Sequence, residues 1–482
     1  MNNFYQSYCL FILNFVIQVF IRSSNAFHHT SFIILSQPND FHSKLSQETG
    51  KRLRETLNDN GFQSTQILIA SEDISYHGSW TIFPILSELV NKLKLTEIKW
   101  FVFLGTNSRI NVEVLHSVLK DHKDEHFIGY KLEDSSHTVI HHYADPKDLQ
   151  YPDFDAGFIL SGSLVKDLAM SIAEFGHKLD WIPSDFSIDP QYEFAKALKM
   201  RNSDLKITHD TRLCIQKKDN CAIYIEGNKN MCHATDDTVL KIAAQTFFAI
   251  KTCSKFHEER LPIIKKTWAK SALNIMYFSE VTDAEIGTIQ LDGVTNTERG
   301  HCHKTMEIIS YFNKHAPKHN WKWLVITDDD TILSVQKLLE FLHCFDPKKS
   351  IHLGQRYGYN IASGLYGYDY VTGGGGMIFS LEMVRTIMKN LPICSCASKD
   401  APDDMHLGIC LSNLGIDIVH SPRFHQARPE DYAKDLLIHQ DPISFHKFWN
   451  TDPLKIYDKW FRKADQKLEQ YKYNLDNPHQ EL

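Results

Sequence analysis

Lys322-Trp323-Leu324-Val325-Ile326-Thr327-Asp328-Asp329-Asp330 reads as a buried strand that delivers three carboxylates to one point. Side chains alternate along an extended chain, so Asp328 and Asp330 share a face while Asp329 points the other way. Two carboxylates on one face repel unless a cation joins them, and oxygen ligands suit a hard divalent ion such as Mg²⁺ or Mn²⁺. Such a site suits a diphosphate. The same acids also fit an acidic turn capping a helix that begins near Ile332, because Asp is favoured at helix starts.

Working outward from this run, apolar strands alternate with longer amphipathic stretches, the α/β pattern, and the same order of elements occurs twice. Lys99-Trp100-Phe101-Val102-Phe103-Leu104-Gly105-Thr106-Asn107 lies against the opening stretch, with Gly105, Thr106 and Asn107 in place of the three acids. Gly157-Phe158-Ile159-Leu160-Ser161 matches Gly376-Met377-Ile378-Phe379-Ser380, and Pro183-Ser184-Asp185 matches Pro402-Asp403-Asp404. His209-Asp210-Thr211-Arg212-Leu213-Cys214 falls on His420-Ser421-Pro422-Arg423-Phe424-His425. The common order predicts two tandem related domains, residues 27–240 and 241–475, the first emptied of the carboxylates and of the aligned histidine. At 482 residues the chain exceeds what one hydrophobic core usually supports, so two domains also follow from length.

A composition of 43% hydrophobic and 23% charged residues is that of a globular protein. The net charge of -7 and the lack of a dense Lys/Arg tract argue against nucleic acid as the main partner. The apolar run Tyr8 to Ile21 is short, is interrupted by Asn14 and Gln18, and is followed by Ser24-Asn25-Ala26; residues 1–26 are expected to be a cleaved signal peptide rather than a stable membrane span. Because the segment before it lacks Lys and Arg, an uncleaved anchor stays open. His479-Gln480-Glu481-Leu482 resembles a KDEL-type retrieval tetrapeptide. Together these segments imply a soluble resident of the endoplasmic reticulum lumen that meets a KDEL-type receptor. Without Cys9, nine cysteines remain, so at least one is unpaired in that oxidising compartment. Their spacing does not determine the pairing, and no Asn-x-Ser/Thr sequon is present.

From Thr246 the motifs accumulate in order: Phe247-Phe248-Ala249-Ile250-Lys251-Thr252 with Phe256-His257, Arg260 and Thr267-Trp268; the Asp triplet; Tyr370-Val371-Thr372-Gly373-Gly374-Gly375-Gly376-Met377; Ala401-Pro402-Asp403-Asp404-Met405-His406-Leu407-Gly408; and Phe424-His425. This ordered set resembles the fringe-like glycosyltransferases of family 31, over roughly residues 246 to 450. Phe424 to Tyr432 and Pro442-Ile443-Ser444-Phe445-His446-Lys447-Phe448-Trp449 narrow the likeness to members that extend O-linked fucose on thrombospondin type 1 repeats with β-1,3-linked glucose. The resemblance implies a GT-A-type fold, a UDP-glucose donor, and a catalytic second domain beside a degenerate first one.

A nucleotide-sugar transferase must neutralise its leaving diphosphate, and a divalent ion does so as a Lewis acid. The resemblance assigns the metal to Asp330 and His425, with Asp328 and Asp329 nearer the ribose, the phosphates or metal-bound water. Imidazole among the ligands favours Mn²⁺ over Mg²⁺. The reaction also needs a base for the acceptor hydroxyl. Asp403 and Asp404 are adjacent, so their charge conflict raises one pKa and leaves the other ionised; Asp404 is expected to be the base, positioned by Asp403. Both acids also suit the start of the helix that follows them. Gly373, Gly374 and Gly375 are expected to line the substrates, because glycine allows close backbone approach. Lys251 and Thr252 are the resemblance's nucleotide contacts. Base on one side and leaving group on the other imply inversion. Two alternatives stay open: another hexosyl- or N-acetylhexosaminyltransferase of the family, and a luminal lectin or chaperone built on the transferase fold.

Overall fold

The computed structural model describes residues 29–476, apart from 75–76, 135–137, 139, 141–147, 184, 228–231, 233, 295–296, 298–299 and 363–366. The expected signal segment and retrieval tail therefore lie outside the described residues. The chain forms two compact units whose main boundary falls at 228–229, ahead of the expected 240–241. The short helix Asp236–Ala244 thus opens the second unit.

The second unit is built on a seven-stranded sheet in the order Thr288–Gln290, Asn274–Ser279, Thr246–Lys251, Trp323–Asp328, Met377–Ser380, His352–Gly354, Val419–His420. Thr246–Lys251 and Trp323–Asp328 pair in parallel, and Met377–Ser380 runs antiparallel to the latter. Both central strands are near-continuous apolar runs, as strands covered on both faces must be. Phe247 and Leu324 to Ile326 are buried. On one face Phe247, Phe312 and Trp321 stack beneath the long helix Cys302–His319. Ser380 accepts from Met383 N and so caps the next helix, Leu381–Lys389. This packing fixes the ends of the central strands, where the polar residues cluster.

The first unit holds a six-stranded sheet in the order Gln66–Ile69, Thr30–Ile34, Trp100–Leu104, Phe158–Ser161, Phe127–Gly129, Thr208–His209. Strand for strand, this repeats order, direction and register of the second sheet without its Thr288–Gln290 edge. Trp100 pairs with Ser161 as Trp323 pairs with Ser380. Thr30 pairs with Trp100 as Thr246 pairs with Trp323. Individual hydrogen bonds recur as well: the amides of Lys99 and Trp100 share His29 O, and those of Lys322 and Trp323 share Gln245 O. His209 Nδ1 accepts from Lys131 N, and His420 Nδ1 from Arg356 N. Gly157 and Gly376 both adopt positive φ, +81° and +104°, closing matching turns onto Phe154 O and Gly373 O. A shared α/β pattern explains alternating elements but not matching side-chain caps.

One expected correspondence fails. Asp185 is exposed and precedes the two-residue strand Phe186–Ser187, whereas Asp404 lies in the first turn of the helix Asp403–Asn413. The helix after Asp185 starts only at Pro190 and is capped by Asp189. An inserted stretch of backbone separates motifs that look equivalent in one dimension.

Candidate active site

The strand Trp323–Asp328 ends where Asp328, Asp330 and His446 bring one ligand atom each to within 4.8 Å of the others. Ligands of one ion stand at most two bond lengths apart, about 4–5 Å for bonds of roughly 2.1–2.6 Å, so this spacing fits a single cation. Two carboxylates and an imidazole suit a divalent transition ion. His446 Nε2 lies 3.0 Å from Asp330 Oδ1 and 3.6 Å from Asp328 Oδ2. Burial opposes protonation of His446, yet the charges of Asp330 and then Asp328 raise its pKa. The two carboxylates thus favour positive charge at the place where a metal ion would meet them.

Asp329 points away, as alternation requires. It accepts from Thr252 Oγ1 at 2.7 Å and from Arg260 Nη1 at 2.8 Å, and the same Arg260 nitrogen reaches Asp330 Oδ2 at 2.9 Å. Burial, then the neighbouring charge of Asp330, pushes Asp329 up to about 6. The triplet does not cap a helix: Thr331–Leu333 continues as a strand, and the next helix starts at Val335 under Ser334.

Lys251 and Thr252, the expected nucleotide contacts, bond to acids of the site. The Lys251 ammonium is buried and bridges Asp403 Oδ2 at 2.5 Å and Asp328 Oδ1 at 3.1 Å, while the Thr252 hydroxyl is spent on Asp329. Burial works against the charge on Lys251, but Asp328 and Asp403 overcome it and raise its pKa. The lysine thus ties the metal-type cluster to the Asp403–Asp404 pair. Asp403 also accepts from Thr305 Oγ1 at 2.6 Å; burial opposes its ionisation, and Lys251 reverses the balance and holds its pKa down. Among the described residues, Asp404 has no such cation in contact. Burial first, then the charge of Asp403, pushes it up to about 6 despite hydrogen bonds from Met405 N and Gly373 N. Adjacent carboxylates with pKa values driven apart are the pattern of a base beside a fixed anion.

The glycine run braces this arrangement. A Cβ on Gly374 would lie 2.3 Å from His446 Nδ1, so only glycine lets the imidazole seat. Thr331 Oγ1 and Ser444 Oγ donate to the carbonyls of Gly374 and Gly375, and Gly375 N donates to Gln426 Oε1. The segment is a fixed wall of the site, and Gly373 reaches it through Asp404.

His425 is not part of the cluster. Its Nδ1 faces Ser444 O at 3.2 Å and its Nε2 faces Gln440 Oε1 at 2.9 Å, and the ring stacks on Phe445 with Tyr432 at its edge. Burial lowers its pKa to about 4. Enclosed by apolar rings, it packs as a core histidine away from the acids, and the imidazole beside them is that of His446. The strand Ser444–His446, antiparallel to Thr331–Leu333, carries that residue back to the acids, with Thr331 opposite His446. In the first unit Ile223–Ile225 runs antiparallel to Ser108–Ile110 with Ser108 opposite Ile225. The register therefore sets Gly105, Asn107 and Ile225 where the second unit has Asp328, Asp330 and His446.

Four disulfides join described residues: Cys214–Cys221, Cys232–Cys344, Cys302–Cys396 and Cys394–Cys410. Cys253 is the unpaired thiol, and it is buried. The last two bridges flank the approach to Asp403. Among the described residues, no helix is long and apolar enough to cross a membrane.

The α/β scaffold, with a metal-type acid and imidazole cluster beside a carboxylate pair, has the parts of a sugar-transferring enzyme that handles a charged leaving group. The Fringe-like family model matches residues 241–467. A human beta-1,3-glucosyltransferase is 40% identical over 441 residues, covering 90% of this chain and 85% of that protein. Its mouse counterpart is 39% identical over 442 residues, covering 90% and 87%. Among solved structures, the apo form of the WbbM bifunctional glycosyltransferase aligns with a TM-score of 0.30 and 9% identity, over 92% of this chain and 99% of that one. The chain belongs to the fringe-like glycosyltransferases.

Proposed function

We propose that the second unit transfers glucose from UDP-glucose, with inversion, to form a β-1,3 linkage on O-linked fucose of thrombospondin type 1 repeats. The observation that carries the reaction type is the bridge Asp403–Lys251–Asp328, which joins a base-type carboxylate pair to a metal-type cluster. The glucosyl donor rests on the relatives named beta-1,3-glucosyltransferase, and the acceptor on the resemblance of the Phe424–Trp449 region.

Asp328, Asp330 and His446 would hold a divalent ion, most reasonably Mn²⁺, which when bound supplies Lewis-acid stabilisation of the leaving diphosphate. Asp404 takes the proton of the acceptor hydroxyl as that oxygen attacks the anomeric carbon. Asp403, kept ionised by Lys251 and Thr305, maintains the basicity of Asp404. Gly373 N holds the Asp404 carboxylate in orientation. Arg260 neutralises Asp329 and Asp330 and is itself steadied over the Phe256 ring, 3.6 Å from its centroid.

The first unit is a non-catalytic copy, because Gly105, Asn107 and Ile225 offer no ligand set. The four disulfides support folding in an oxidising compartment, which we read as the endoplasmic reticulum lumen. The test is mass spectrometry of a folded thrombospondin repeat bearing O-fucose, incubated with the protein, Mn²⁺ and single UDP-sugars. Hexose addition from UDP-glucose alone, abolished by chelator, is the expected result. Addition from a different donor would replace the substrate, and no addition from any donor would overturn the proposal.

A further inference from the structure

We propose that His301 is a specificity-determining residue whose imidazole hydrogen-bonds the hexose of the nucleotide-sugar donor. The inference rests on the transferase reading above and extends it to the sugar itself, which the acidic motifs do not encode.

The backbone at His301 is clamped. Gly300 packs so tightly on the segment entering Asp403 that a Cβ would lie 2.3 Å from the Asp400 carbonyl carbon. Thr297 Oγ1 donates to Gly300 O at 2.6 Å, Cys302 N donates to Ala401 O at 3.3 Å, and Cys302 is bonded to Cys396. The side chain is held by nothing comparable. His301 occupies the N-cap position of Cys302–His319 without capping it, and it has no hydrogen-bond partner among the described residues. A half-buried imidazole without a protein partner, on a backbone held this firmly, is a hydrogen-bonding group left for a ligand at a fixed place.

That place is the gap between the two halves of the site. On the same first turn as His301, Thr305 Oγ1 donates to Asp403 Oδ2 at 2.6 Å and Lys304 Nζ donates to Thr252 O at 2.5 Å, so the helix start that carries His301 faces the site, where the charges of Lys251, Asp328 and Asp403 reach the imidazole. In an in-line displacement the anomeric carbon must lie between the leaving diphosphate on the first side and the acceptor hydroxyl at Asp404 on the second. A residue facing both meets the transferred ring. Burial and Lys251 favour the neutral imidazole, which has one donor and one acceptor and matches a sugar hydroxyl. A site built to bond a particular hydroxyl discriminates strongly against a sugar that places it elsewhere.

The experiment compares the full-length protein with His301→Ala and His301→Gln, in Mn²⁺. Calorimetry measures affinity for UDP and UDP-glucose, and transfer assays give kcat/KM with UDP-glucose and UDP-galactose. For His301→Ala, the advantage of UDP-glucose over UDP should fall by about tenfold, the equivalent of one good hydrogen bond. The glucose-to-galactose ratio should narrow similarly, with affinity for UDP, affinity for Mn²⁺ and Tm unchanged. His301→Gln should recover part of both. Unchanged ratios in a folded His301→Ala protein would overturn the inference, as would equal losses for UDP and UDP-glucose, which indicate only a displaced loop. Failure of the unsubstituted protein to bind any UDP-sugar would instead overturn the transferase reading, and the inference with it.

Discussion

Replacing His446 and His425 separately by alanine distinguishes the two histidines by different observables. His446 supplies one of three protein ligand atoms lying within 4.8 Å of one another. Changes one shell outside a metal commonly lower its affinity 10–100-fold, so removal of a ligand should weaken Mn²⁺ binding by at least ~100-fold, about 2.7 kcal/mol. His425→Ala removes a ring that is 1% exposed and stacked on Phe445, and with it the one hydrogen bond its neutral imidazole can donate to Gln440 Oε1 or Ser444 O. Cavity and lost hydrogen bond together should cost about 2–4 kcal/mol of stability. Mn²⁺ affinity should survive in the fraction that remains folded. Isothermal titration with Mn²⁺ and thermal unfolding, run on both variants, give the two readouts. Near-normal Mn²⁺ affinity in His446→Ala would refute the ligand assignment. A ~100-fold loss in His425→Ala at unchanged Tm would restore the expectation drawn from sequence.

Asp404→Asn should lower turnover by ~10²–10⁴-fold while the folded fraction by circular dichroism stays the same, because the amide oxygen can keep the shorter bond, from Met405 N at 2.8 Å, and only the 3.3 Å contact with Gly373 N is given up. In the unsubstituted protein, kcat/KM should rise with pH and level off above about 6, following deprotonation of Asp404. The linkage runs oppositely for stability: a carboxyl pushed up on folding stabilises at low pH, and that contribution is lost as pH rises from the ordinary carboxylate range through 6. A flat rate profile from pH 5 to 8 would remove Asp404 as the base. Gly374→Ala puts a methyl 2.3 Å from His446 Nδ1 and should raise the Mn²⁺ needed for half-maximal activity by at least ~10-fold; an unchanged requirement would show that the imidazole need not seat there.

The α/β class, the acids at the end of a central strand and the unpaired cysteine were legible because each depends on local pattern: a buried run, alternation, and a count. Strand pairing across the repeat was legible too, since Trp100 and Ser161 occupy the same register as Trp323 and Ser380. The third ligand was not. Phe424-His425 sits where an ordered motif set leads one to expect it, yet the chain needs 18 more residues and a helix, Lys434–Gln440, before Ser444–His446 returns to the acids. The corresponding excursion in the first unit is only eight residues, between Cys214 and Ile223, so a gapless alignment pairs the wrong histidine. The residual clue was the alternation Ile443-Ser444-Phe445-His446, a strand ending in an imidazole. The ion pairs of Lys251 were hidden for a different reason: nothing local marks a strand-end lysine as paired until the helix bearing Asp403, 152 residues later, is folded over it.

The first unit is filled where the second is open to a cation. Arg109 Nη2 pairs with Glu226 at 2.6 Å, Arg109 Nη1 takes Thr49 Oγ1 at 3.1 Å, and Glu226 N donates to Asn107 O at 2.9 Å. A Cβ at Gly105 would lie 3.0 Å from Asp155 Oδ1, and Asp155 stands at the register position of Gly374. Arg109 therefore supplies positive charge beside the positions that match the acids in register, and the wall that admits an imidazole in the second unit carries a carboxylate in the first. Restoring one acid would not rebuild a site whose other positions have been reassigned. On this reasoning Asn107→Ala and Arg109→Met should leave Mn²⁺-dependent hydrolysis of UDP-glucose within ~2-fold of normal. Because the Arg109–Glu226 pair is partly solvent-exposed, its loss should lower stability by no more than about 1 kcal/mol. A large loss of hydrolysis in either folded variant would mean that the first unit supplies part of the catalytic apparatus, and the copy would have to be regarded as working rather than emptied.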